Sequence, residues 1–272
     1  MRRCGSSSGG RFTGGGGQKG RWPGFEGKRA APVVKWSHAE AMKKKPSGRG
    51  DAAVTGDGGG WMRRADAAVR RLVALARGTL RQLSAYRVGD AALAYVAASG
   101  KLLNVLQIPM SEISDQAVKK YAECLPALRV LDISNCLKIS SSGIEALGRH
   151  CKLLVQLKRN MPPPDVPHGY NTVPNVVNDE ALAIANTMPV LEHLELAYGL
   201  FSDTGLGAIL TRCPRLQTLD ILGCWNVRLE GDIEERCCAL ESFREPWEPM
   251  YSDCSSTGSD NDDDDEDNDS DN

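Results

Sequence analysis

The sequence predicts an α/β solenoid, with parallel strands lining a concave side and helices forming the convex side. Three observations predict it. A leucine frame recurs about every 25 residues, a helical stripe follows each frame, and prolines stand where a helix must give way to the next strand.

The frame is Leu-x-x-Leu/Phe. It begins at Leu80, Leu103, Leu128, Leu154, Leu191, Leu216 and Leu240, and its second members are Leu83, Leu106, Leu131, Leu157, Leu194, Leu219 and Phe243. The steps are 23, 25, 26, 37, 25 and 24 residues, and the long one contains the proline-rich stretch at 161–176, which reads as an inserted loop. Two places after the second member comes another apolar residue in Ala85, Ile108, Ile133, Leu196 and Ile221. That alternation fits a short strand with every second side chain in one core. In the fourth and seventh repeats the slot holds Arg159 and Glu245. A charge is costly to bury without a partner, so strand geometry is expected to fail there.

The segments between strands have helical periodicity. Ser114 is an N-cap candidate for Ala117, Val118, Tyr121 and Ala122, and similar stretches start at Asp90, Ser141, Asp179 and Ser202. Pro126, Pro189 and Pro214 each sit two residues before a frame leucine and extend the chain into the next strand. One such unit buries a single face, so about seven must stack to close a core, and the bulkier helices bend the stack. The expected architecture is a leucine-rich-repeat solenoid, a ribonuclease-inhibitor-like horseshoe arc.

No Leu or Ile precedes Leu72 and none follows Leu240, so the ends lack the side chains that offset the entropy of ordering. Residues 1–50 hold twelve bases against Glu26 and Glu40; residues 251–272 hold nine Asp and Glu266 without a base. Like charges repel and stay solvated. The expected organisation is therefore a disordered Gly/Ser/basic region at 1–60, a linking or capping helix at 61–78, repeats at 79–247 and a disordered acidic tail at 248–272. No apolar run approaches the roughly 18–20 residues needed to span a bilayer, and the first thirty residues lack the apolar core of a secretory signal. These features point to the cytoplasm and/or nucleus, with no membrane partner, and to reduced thiols as the state of the nine cysteines.

The motifs of known chemistry are incomplete in this sequence. Gly14 to Gly17 followed by Lys19 lacks the glycine and hydroxyl residue of a phosphate loop. Adjacent Cys237 and Cys238 lack metal-ligand spacing, and neighbours on a helix such as His150 and Cys151 point about 100° apart. The expectation is a non-catalytic protein without cofactor, metal site or nucleic-acid partner.

The stretches LPALRVLDISNCLKISSSGIEALGRHCKLLVQLKRN at 125–160 and TMPVLEHLELAYGLFSDTGLGAILTRCPRLQTLDILGC at 187–224 resemble the cysteine-containing repeats of plant F-box/LRR proteins. Cys124, Cys151 and Cys213 match that repeat's helix-end cysteine, and Cys136 and Cys224 its post-strand cysteine. The resemblance implies the substrate-recognition subunit of an SCF-type E3 ubiquitin ligase, in which an F-box binds the Skp adaptor and cullin while the repeats hold the protein to be ubiquitinated. An F-box is rich in Leu and Ile, whereas the first 71 residues have neither. Skp and cullin are therefore expected partners only where an F-box is supplied. The alternative is an F-box-less repeat protein, a truncated isoform or competitor, that binds targets without recruiting a ligase.

If the register holds, alternate strand residues face the concave side. The candidate contacts for a substrate protein are Gln107, Asp132, Lys158, Glu195, Asp220 and Arg244, with His193 on the flanking row. Glu195 and Asp220 form an expected acidic patch, and Tyr86, Tyr198, Trp225 and Trp247 are edge hot-spot candidates.

Overall fold

A computed structural model describes residues 33–35, 58–163 and 175–247. The acidic tail, most of the basic N-terminal region and the middle of the inserted loop lie outside these residues.

Eight three-residue strands form one parallel sheet in chain order. They are β1 Val33–Lys35, β2 Gln82–Ser84, β3 Val105–Gln107, β4 Val130–Asp132, β5 Gln156–Lys158, β6 His193–Glu195, β7 Thr218–Asp220 and β8 Ser242–Arg244. The helices are α1 Gly58–Ala76, α2 Asp90–Ser99, α3 Asp115–Tyr121, α4 Ser141–His150, α5 Asp179–Thr187, α6 Asp203–Arg212 and α7 Ile233–Cys238. Neighbouring helices pack as a second layer, and parallel strands joined by helices give the solenoid its two sides.

The second member of every frame is in register with the next: Leu83, Leu106, Leu131, Leu157, Leu194, Leu219 and Phe243 form one continuous ladder. The first members Leu80, Leu103, Leu128, Leu154 and Leu191 are fully buried in the same core. Two differences from the sequence reading stand out. The region before residue 60 contributes β1, which pairs with β2. The fourth and seventh repeats also keep their strands, because the charged slot lies just beyond the paired residues and Arg159 N–H still bonds Glu195 O at 2.8 Å.

Arg159 itself is buried, and its guanidinium is partnered. Its guanidinium donates to Cys136 O at 3.0 Å, Ile139 O at 2.6 Å and the Glu180 carboxylate at 2.9 and 3.3 Å. Glu245 follows β8, the last strand among the described residues, and stays partly solvated.

Past β2, β3, β4, β6 and β7 the chain enters a left-handed turn at the same repeat position, in Arg87, Met110, Asn135, Tyr198 and Gly223. Gly223 is required twice over: its φ is +71°, and a Cβ there would overlap the Tyr198 ring.

The helix layer is tied together by Asp and Asn side chains at helix starts, each reaching one repeat ahead. Asp90 accepts Ser114 N–H and hydroxyl, both at 2.7 Å. Asp115 accepts Ser140 N–H at 2.9 Å and the hydroxyls of Ser140 and Ser142. Asn178 accepts Ser202 N–H at 2.9 Å, and Asp203 accepts the N–H groups of Arg228, Leu229 and Glu230. A carboxylate at a helix start also complements the helix dipole. Between α4 and α5, beside the insertion, the Arg159–Glu180 pair makes the tie.

Burial would raise the Asp115 pKa, but the Ser140 side-chain and backbone bonds, the Ser142 hydroxyl and the Lys119 charge outweigh it and hold the carboxyl below its ordinary value. A depressed native pKa contributes stability above the unfolded value, about 3.9, and loses it as pH falls through the native value. Urea midpoints measured from pH 6 to pH 2 are expected to fall more steeply in the wild type than in Asp115→Asn. Parallel curves would remove the carboxylate from this role.

Candidate protein-binding face

The strand register brings six of the seven predicted site residues into one row. Gln107, Asp132, Lys158, Glu195, Asp220 and Arg244 are successive partners across β3 to β8. His193 lies two residues before Glu195, on the same face, between Gln156 and Thr218. Strands are about 4.8 Å apart, so these side chains form a closely spaced polar ladder. All are partly or fully exposed.

The geometry corrects the acidic patch. Lys158 reaches across the sheet to Glu195, and Arg244 Nη1 lies 3.3 Å from Asp220. Asn160 Nδ2 adds a bond to Glu195 at 3.1 Å, while its Oδ1 accepts Ala197 N–H at 2.9 Å. Asp132 and Asp220 each accept an N–H two residues on, from Ser134 and Leu222, at 3.0 Å. They close the turn after the strand, a familiar use of Asp. The face therefore carries both signs of charge, in local pairs.

Asn160 was not foreseen as a contributor to this face. It follows the insertion repeat's strand, and its effect depends on a strand 35 residues away. The edge above the face holds the predicted Trp225 together with two leucines that were not predicted. Leu137, Leu200 and Trp225 occupy equivalent loop positions, each five residues past the polar row, and are 64%, 42% and 64% exposed. Val177 N–H bonds Leu200 O at 2.9 Å, which returns the insertion to that edge. Of the predicted edge aromatics, Tyr86, Trp225 and Trp247 are exposed, and Tyr198 is half-buried over Gly223.

The repeat cysteines serve the fold. Cys136 and Cys224 donate their thiols to Ile108 O and Leu196 O at 3.2 Å, one repeat back, and Cys213 reaches Met188 O at 3.5 Å. Burial pushes the Cys136 and Cys213 thiols up to about 11, and Cys151, Cys224 and Cys237 up to about 12. Such thiols are almost wholly protonated near neutrality and are poor nucleophiles and metal ligands. Cys238 is disulfide-bonded, so the reduced-thiol reading does not extend to it. Among the described residues no three His, Cys, Asp or Glu side chains cluster to hold a metal, and no helix is long and apolar enough to cross a membrane.

A register-locked ladder of strands backed by helices defines the protein as a leucine-rich-repeat solenoid. Its relatives define it further. It is 36% identical over 209 residues to F-box protein FBW2 of Arabidopsis thaliana, covering 72% of this chain and 64% of that protein. It is 33% identical over 192 residues to F-box protein SKIP1 of the same plant, covering 68% and 64%. Putative F-box/LRR-repeat protein 21, also from Arabidopsis thaliana, is 30% identical over 191 residues, covering 66% and 61%. These plant F-box and F-box/LRR-repeat proteins are similar to this chain over most of its length, and the chain spans a little under two thirds of theirs. No family model matches the chain. Among solved structures, that of the Rad7 and Elc1 complex in yeast aligns with a TM-score of 0.47 and 18% identity, over 61% of this chain and 41% of that one.

Proposed function

We propose that the chain is the substrate-recognition subunit of an SCF-type E3 ubiquitin ligase. It holds a target protein against its strand face and leaves ubiquitin transfer to other subunits. The observation that carries this reading is the in-register polar row from Gln107 to Arg244, in a chain whose relatives are F-box proteins. Repeat arcs bind by such extended surfaces, and mixed charge sets register with the partner. The target is a protein of unassigned identity in the cytoplasm and/or nucleus. Skp and cullin join where an F-box is supplied.

Reconstitution with the Skp adaptor, cullin and RING subunit tests the role. Ubiquitin transfer to a captured target that depends on this chain supports the ligase. Target capture without adaptor binding supports the competitor instead. Gln107→Trp combined with His193→Trp tests the face, because both side chains point off the sheet and large rings there obstruct docking of either charge type. Target affinity is expected to fall at least about tenfold, or ~1.4 kcal/mol, with an unchanged thermal midpoint. Undiminished capture would move the site off the strand face.

A further inference from the structure

The α1 helix carries a charge pattern that target binding on the strand face does not use. Ala65, Val69, Val73 and Ala76 are buried, and α1 packs on α2. Arg63, Arg64, Arg70 and Arg71 are all exposed on the remaining surface, and exposed Arg77 and Arg81 follow. Residues seven apart on a helix nearly superimpose in projection, so Arg63 and Arg70, with Arg64 and Arg71, form two adjacent stripes. Leu75, 77% exposed, lies alongside.

The sole carboxylate within α1 is Asp66, and it is turned to the Gly89 N–H at 2.8 Å. The Arg70 guanidinium lies 5.3 Å from the Tyr95 ring centroid, which helps to fix it in place. The result is a rigid cationic ridge near the first repeat.

The same chain contains the complement of this ridge. Residues 251–272 hold nine Asp and Glu266 with no Lys or Arg. We infer that this acidic segment docks on the arginine ridge of α1 within one chain, bridging the two ends of the solenoid.

The reach is sufficient. Six strand spacings separate β2 from β8, about 29 Å at ~4.8 Å each along the strand side. From Trp247 to Asp260 the chain can extend about 43 Å at ~3.3 Å per residue, and most of the acidic run lies further on. An ordered ridge also loses less entropy on binding than a basic segment that has still to be ordered. Attraction between exposed charges is screened over a Debye length of about 10 Å at 0.1 M salt, so the contact should weaken with salt.

The test uses full-length chains and a fluorescein-labelled synthetic peptide of residues 251–272, followed by anisotropy at about 50 mM salt. In one variant the tail's own acids are replaced by Asn and Gln. The peptide is expected to bind this variant at least tenfold tighter than the wild type, whose tail already occupies the ridge. Adding Arg64→Gln, Arg71→Gln and Arg77→Gln is expected to cut that affinity at least tenfold, and Arg64→Glu with Arg71→Glu to cut it further. Circular dichroism confirms that these surface variants fold.

Equal peptide binding to wild type and tail variant would overturn intramolecular docking. Binding that survives the arginine substitutions would assign the contact to the basic residues 1–50. A DNA oligonucleotide that binds the wild-type ridge more tightly than the peptide would make nucleic acid its occupant.

Discussion

Arg159→Met is expected to destabilise the chain by about 3 kcal/mol, read as a lower urea midpoint with little change in slope. Methionine matches the length and leaves no large void, so the loss isolates the polar contacts. Arg159 is 2% exposed and joins three chain segments: the post-strand loop at Cys136, the turn at Ile139 and the start of α5 at Glu180. Removing it leaves the Ile139 carbonyl without a donor, worth about 1–3 kcal/mol when buried, while Cys136 O keeps the Ile139 N–H at 3.1 Å. Glu180 keeps about a third of its side chain in water and can be resolvated. Glu180→Gln alone is therefore expected to cost under about 1 kcal/mol, and the double variant little more than Arg159→Met. A single Arg159→Met cost below about 1 kcal/mol would show that the insertion repeat does not depend on this residue.

Why sequence reasoning misjudged Arg159 follows from the same contacts. An arginine in an apolar slot signals a broken strand only when nothing receives its five donors. Here the receivers are 20 to 23 residues earlier and 21 residues later, and no local pattern announces them. By contrast, the frame leucines made the register legible, because each contacts its own equivalent in the next repeat and the spacing alone identifies the neighbour. The polar row was legible for the same reason, since alternation along a strand leaves only one face for Gln107, Asp132 and Glu195. Its charge was not. Whether Glu195 forms an acidic patch or an ion pair depends on Lys158 lying one strand away across a step of 37 residues. β1 was hidden too: Val33 to Lys35 has no leucine frame around it, and its strand is defined by pairing with β2.

Leu131→Ala is expected to cost about 3–4 kcal/mol, within the range for emptying a fully buried leucine site. Leu131 is 1% exposed and stands on β4, between Leu106 and Leu157 on the ladder. The surrounding core includes Ile133, Ile139 and Leu147, whose backbones are committed to the same repeat stack and can close only part of the void. In a solenoid each repeat is stabilised through its neighbours, so a weak central unit loosens the coupling between the two halves as well as its own packing. The thermal transition should broaden or split, with the first halves of the transition differing when followed by probes at either end. Phe243→Ala provides the contrast. Phe243 is only half-buried on β8, which among the described residues has one neighbouring strand, and its removal should lower the midpoint less while leaving a single transition. If Leu131→Ala instead behaves like Phe243→Ala, the leucine ladder does not carry cooperativity along the arc, and the strand face cannot be treated as one rigid docking surface.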